Sequence, residues 1–149
     1  MQEVTALRKA HSASKTHVPK LHEVVQTDRM LYLALDQVNG IELYELLLDG
    51  PLAEPLARRL MRQLMQALAA LHEHHIVHRD VKPENLMVVH AEEPHKCKLV
   101  MIDFGYAACG TAAEAAGGLT ELAGSPEYAE TAVHIVSRRG SHSISARFT

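Results

Sequence analysis

The chain has no tryptophan, two phenylalanines and four tyrosines, so aromatic residues make up only 4% of it. Any core must therefore be built mostly from Leu, Val, Ala and Met. Long apolar runs are lacking too. None approaches the roughly 20 residues needed to cross a bilayer. The opening Met1-Gln2-Glu3-Val4-Thr5 has no basic-then-apolar signal pattern. Positive charge is not in excess: 15 Lys and Arg stand against 18 Asp and Glu, for a net charge of −3. That excludes the basic footprint of a nucleic-acid binder. Two cysteines, Cys97 and Cys109, are too few for a disulfide scaffold and fit a reducing compartment. These absences point to a cytoplasmic protein with neither membrane nor nucleic acid as partner. What is present is ordinary for a globular domain: 149 residues, 47% hydrophobic and 22% charged.

Apolar spacing gives a coarse map. Residues 3–10 read as a short helix with Val4 and Leu7 on one face, and the polar residues 11–20 read as loop. Two apolar runs, 21–26 and 30–36, flank Thr27-Asp28-Arg29 and predict a β-hairpin. Residues 42–48 form a short helix after the break at Asn39-Gly40. Residues 55–72 hold the strongest helix signal. Leu56, Leu60, Leu64 and Leu68 recur every four residues, with Met61, Met65 and Leu71 beside them, and Pro55 sits where a first-turn proline is tolerated. Residues 73–85 read as loop, 86–89 and 98–102 as two strands. Residues 103–130 are rich in Gly and Ala without a period, and a loop that long in a compact domain is usually functional or disordered. Residues 131–149 shift to Ser and Arg and read as a tail.

Chemistry concentrates in His78-Arg79-Asp80-Val81-Lys82-Pro83-Glu84-Asn85, followed by a hairpin and then Asp103-Phe104-Gly105. A loop between a buried helix and a strand presents a carboxylate, an amine and a carboxamide. The far end of the hairpin presents a second carboxylate. Asp and Asn oxygens are hard ligands that suit Mg²⁺ with phosphates. A carboxylate beside a lysine suits removing a hydroxyl proton while neutralising charge on a transferred group. Base, cation and metal ligands together are the parts of a phosphoryl-transfer site.

These two motifs closely resemble the catalytic loop and metal-binding tripeptide of eukaryotic protein kinases, in the right order and with the hairpin between them. The resemblance spans about residues 3–130. The Lys82-Pro83-Glu84 form is that of serine/threonine kinases, and the calcium/calmodulin-dependent group is the most similar. It implies an α+β fold, a partial kinase fold with the end of the N-lobe sheet and the first half of the mainly helical C-lobe. Residues 1–38 would be N-lobe, 39–130 C-lobe with the activation segment, and 131–149 a disordered or non-homologous tail.

The implied roles fall on named positions. Asp80 would orient and deprotonate the substrate hydroxyl, Lys82 would contact the γ-phosphate, and Asn85 and Asp103 would hold Mg²⁺. Leu35 sits at the gatekeeper position of the strand entering the hinge. Asp36 and Val38 would offer backbone groups to adenine, with Met87 as its floor, Ile102 lining the pocket, and Glu42 and Glu84 on the nucleotide side. Glu3 resembles the helix glutamate that pairs with the phosphate-binding lysine. Arg79 normally grips an activation-loop phosphate, but here Glu121 stands at the usual phosphosite beside Thr120, and an acidic residue can replace the phosphate. Ser125 resembles the substrate-loop residue that bonds the base and the lysine.

The implied cofactors are ATP and Mg²⁺, and the implied partner is a protein carrying Ser or Thr. No Gly-rich strand or lysine strand precedes Glu3, and Tyr128-Ala129-Glu130 departs from the family's Tyr-x-Ala-Pro-Glu. The chain therefore reads as the middle of a kinase domain. The alternative is a catalytically inactive kinase-like interaction module or a truncated gene product. Of the eleven histidines, His72, His74, His75 and His78 are closest together, but their spacing matches no tetrahedral zinc site.

Overall fold

In the computed structural model, residues 2–110 are described. The chain opens with α1, Gln2–Ala13. Its Val4, Ala6, Leu7 and Ala10 are buried at helical spacing. The helix runs three residues past the expected end. Ser12 Oγ donates to the Arg8 carbonyl at 2.9 Å, and a His11 ring nitrogen lies 2.9 Å from the Val18 carbonyl. These polar side chains bond to nearby backbone and so end a helix without cutting it short.

Strands β1, Leu21–Gln26, and β2, Leu31–Leu35, form the expected antiparallel hairpin. Thr27 closes it: its N–H donates to Met30 O at 2.8 Å, and its hydroxyl oxygen accepts from Met30 N at 3.0 Å.

The second sheet has the order β3-β5-β6, all antiparallel, from β3, Ile41–Glu42, β5, Leu86–Val89, and β6, Lys98–Met101. Two-residue strands such as β3 carry no readable period. Gly40 permits the approach of β3 to β5. A Cβ there would meet Val88 O at 2.6 Å and Val88 C at 2.9 Å, both backbone atoms. Gly40→Ala is therefore expected to destabilise the fold by about 1–3 kcal/mol in urea unfolding, through forced backbone shifts. A loss under about 0.5 kcal/mol would mean that β3 yields freely.

Helix α2, Leu43–Leu48, ends at Gly50, which adopts a positive φ of 125°. Helix α3, Glu54–Glu73, buries Leu60, Leu64, Ala67 and Leu71. Met61 and Met65, expected on the buried face, are instead 57% and 60% exposed. They lie one position around the helix from Leu60 and Leu64, and only the narrower stripe meets the core. Strands β4, Ile76–Val77, and β7, Ala108–Cys109, pair as a third small sheet.

One core joins these pieces. It contains Leu7 of α1, Leu60, Leu64 and Leu71 of α3, Val88, Leu99 and Met101 of the central sheet, and Phe104. No described helix is long and apolar enough to cross a membrane. The result is an α+β fold. The loop 78–85 is held between α3 and β5.

Candidate active site

The loop after α3 turns sharply before the reactive residues. Arg79 has a φ of 66° and Asp103 a φ of 58°, left-handed values that non-glycine residues adopt at a cost and mostly at functional sites. Arg79 is tethered there by its Nε, which donates to Tyr106 O at 2.6 Å. The loop 78–85 and the segment just after Asp103-Phe104-Gly105 are thus tied together directly.

Asp80 lies at the centre. It is 3% exposed, and its Oδ2 takes two partners. Lys82 Nζ is 3.0 Å away, and Asn85 Nδ2 donates to it at 2.9 Å. A buried carboxylate is tolerable only with partners of this kind. The pairing with Asp80 also raises the Lys82 pKa above its ordinary 10.5, against the opposing effect of burial. Lys82 is therefore an ammonium under all physiological conditions.

Asn85 also donates from Nδ2 to Asp80 O at 2.9 Å. Both amide protons serve Asp80, so its Oδ1 is the atom suited to a hard cation. The 3₁₀ turn Pro83–Asn85 positions it, with Glu84 half-buried in the same turn. Asn85 O accepts from Ile102 N at 2.9 Å, which places the residue before Asp103 against the catalytic loop. Asp103 is exposed, and its Oδ1 accepts from Gly105 N at 3.1 Å. A carboxamide oxygen and an exposed carboxylate joined through one backbone bond fit Mg²⁺ by donor chemistry.

His78 organises this region from below. It is buried, and its ring lies 4.7 Å from Phe104, tilted by 60°. Nε2 faces Ile102 O at 3.1 Å, and Nδ1 accepts from Asp80 N at 3.4 Å. That pattern requires the neutral tautomer with the proton on Nε2. Burial accordingly lowers its pKa below the usual 6.5, although the Ile102 carbonyl and the charges of Asp103 and Asp80 pull the other way.

A depressed folded-state pKa gives stability that is complete above the unfolded value and disappears as pH falls through the folded one. Acidification from about pH 7 to pH 5 is expected to lower the melting temperature more in the parent than in His78→Gln. Equal falls would remove His78 from the acid response.

The nucleotide-side residues assemble around β5. Register pairs Glu42 with Met87 and Met87 with Val100. Met87 and Val89 share one sheet face with Lys98 and Val100, and Ile102 continues that face by alternation. A cleft of 440 Å³ borders the hinge segment, lined among others by Asp36, Val38, Val89, Lys98 and Val100. It includes none of Asp80, Lys82, Asn85 or Asp103.

In the hinge, Asp36 N donates to Lys20 O at 2.9 Å, and Val38 O accepts from Gly40 N at 3.0 Å. The Asp36 carbonyl and the Val38 N–H take no part in these two bonds. The Asp36 carboxylate bonds Lys20 N and His22 Nε2, which hold its pKa below 3.8. Leu35, beside it, is 40% exposed. Glu3 sits half-buried in the first turn of α1. Thr120, Glu121 and Ser125 lie outside the described residues, as does the segment 131–149.

Two supporting residues carry no sequence signal. His17 lies 2.7 Å by Nδ1 from Leu99 O, and its own carbonyl accepts from Met101 N at 2.8 Å. Gln63 donates to Cys97 O at 3.0 Å and accepts from Leu99 N at 3.0 Å. Both fix β6, and hence Asp103, across 82 and 36 positions of sequence. Two of the clustered histidines, His74 and His78, bond backbone groups. A His74 ring nitrogen faces Ala70 O at 2.9 Å, and His75 ends α3 with a φ of 56°.

The protein kinase domain model matches residues 1–143, and the chain belongs to that family. The match runs past residue 130 into the segment expected to be a tail. The chain is 38% identical over 97 residues to the human "Serine/threonine-protein kinase DCLK3", covering 64% of this chain and 15% of that protein. It is 34% identical over 139 residues to the rice (Oryza sativa subsp. japonica) "Putative CBL-interacting protein kinase 13", covering 93% and 25%. To the Arabidopsis thaliana "CBL-interacting serine/threonine-protein kinase 15" it is 32% identical over 139 residues, covering 93% and 31%. The chain thus spans less than a third of the length of each relative.

Proposed function

We propose that this chain carries the catalytic centre of a serine/threonine protein kinase, which moves the γ-phosphate of ATP to a Ser or Thr hydroxyl of a protein. The observation that supports it most is the bonded set Asp80–Lys82–Asn85, joined through Asn85 O and Ile102 N to Asp103. Asp80 orients the hydroxyl and takes its proton as the oxygen bonds to phosphorus and ADP departs. Lys82 neutralises charge on the transferred group. Mg²⁺, held by Asn85 and Asp103, would neutralise the ATP phosphates. Met87 and Ile102 would face adenine, with Asp36 and Val38 at its edge and Glu42 and Glu84 beside the sugar. The setting is cytoplasmic, where ATP is supplied.

Thermal melting with ATP tests the reading. At a ligand concentration 100 times its Kd, the complex gains about 2.7 kcal/mol. The upward shift is expected to need Mg²⁺. Asp103→Asn is expected to remove the Mg²⁺-dependent part without changing the melt in the absence of ATP. A parent chain whose ATP shift is indifferent to Mg²⁺ would sink the proposal.

A further inference from the structure

We propose that the turn between β5 and β6 binds a zinc-type divalent cation, through His90, Glu92, Glu93 and His95. The turn lies at the end of the β5–β6 hairpin opposite the catalytic residues. Asn85 precedes β5 and Asp103 follows β6, whereas His90 follows β5 and Lys98 begins β6. This is therefore a separate site.

Three of the four donors already converge, and His95 stands beside the third of them, Glu93. One ligand atom from each of His90, Glu92 and Glu93 lies within 4.8 Å of the others. His90 Nδ1 is 3.7 Å from Glu92 Oε1, and His95 Nε2 is 3.7 Å from Glu93 Oε2. Tetrahedral zinc with bonds of about 2.0–2.2 Å places neighbouring donors about 3.3–3.5 Å apart. The two histidine–carboxylate pairs need to close by only a few tenths of an ångström, while the exposed His95 ring must rotate toward His90 and Glu92 to complete the set.

The donor set is selective. Two imidazoles distinguish it from an ordinary acidic surface, because nitrogen with carboxylate suits zinc, whereas Mg²⁺ and Ca²⁺ prefer oxygen alone. Lys96 Nζ, 2.7 Å from Glu93 Oε2, occupies the carboxylate now and must swing away. It is 58% exposed, so solvent can receive it.

The backbone beneath the cluster is already ordered. Glu93 N donates to His90 O at 3.0 Å, and Glu93 O accepts from Lys96 N at 2.8 Å and Cys97 N at 2.9 Å. Arg59 Nε and Gln63 Nε2 both grip Cys97 O from α3. A pre-ordered turn loses little freedom on binding, which favours affinity.

Titration calorimetry with zinc chloride, on the full chain, tests the site. The chain has eleven histidines, so the informative quantity is the difference between parent and a His90→Ala/His95→Ala variant. The parent is expected to bind one zinc ion that the variant binds at least about tenfold more weakly. Excess Mg²⁺ is expected not to displace it. Both altered side chains are exposed, and matching melting curves without zinc would show that the fold is kept. Equal zinc binding by parent and variant overturns the proposal, as does a parent that binds no zinc or one that Mg²⁺ displaces.

Discussion

Asp80→Asn is expected to lower turnover in peptide phosphorylation by about 10²–10⁴-fold, the usual contribution of a positioned general base. The substitution keeps the size of the side chain and removes its basicity. Asp80 is 3% exposed and is oriented by Lys82 at 3.0 Å and Asn85 at 2.9 Å. In the proposed reaction its partner is the hydroxyl rather than the nucleotide. The KM for ATP should therefore stay close to that of the parent while kcat falls. Initial rates with a Ser-containing peptide and labelled ATP provide the measurement. A turnover within about threefold of the parent would remove Asp80 from the chemistry.

Phe104→Ala is expected to cost about 3–5 kcal/mol in urea unfolding, the range for deleting a buried aromatic ring. Phe104 is fully buried, the largest such side chain among the described residues, and shares one cluster with Leu7 of α1 and Leu71 of α3. Its ring also packs on His78 at 4.7 Å. A domain of this size is stable by only about 5–15 kcal/mol, so the loss takes a large fraction of the whole. The effect should reach the site as well. Phe104 follows Asp103, and the Tyr106 carbonyl that anchors Arg79 lies two residues further on. Weaker ATP binding in the presence of Mg²⁺ is expected to accompany the lower stability. A cost below about 1 kcal/mol would mean that the ring is not a keystone of the core.

Much of this was legible in the residues themselves. The hairpin of β1 and β2, helix α3 and the pair β5 and β6 follow from short-range patterns: two apolar runs flanking Thr27-Asp28-Arg29, a four-residue leucine repeat, and two apolar runs around a polar turn. The bonded set was legible because Asp80, Lys82 and Asn85 fall within one turn and one loop, where local geometry dictates who meets whom. Strands β3, β4 and β7 were not. Each has two residues, and such a strand exists only because its partner is there. Ile76 pairs with Cys109 and Ile41 with Val88, contacts no local period announces.

The sequence alone determined which chemistry is available: a carboxylate, an amine, a carboxamide and a second carboxylate, spaced for phosphoryl transfer. It also determined the composition of the core, poor in aromatics and rich in Leu, Val and Ala. Tertiary structure decided which of those groups are buried and which are presented. Asp80 and Asp103 are the same residue type, yet one is buried against Lys82 and the other is exposed. His17 and Gln63, ordinary polar residues in the chain, became the braces of β6. The repeat of α3 promised a wide apolar face, but packing used only part of it and left Met61 and Met65 to solvent. The physical reason is range. Covalent spacing fixes neighbours over a few residues, whereas burial and long-range hydrogen bonds depend on which distant segment arrives to fill the space.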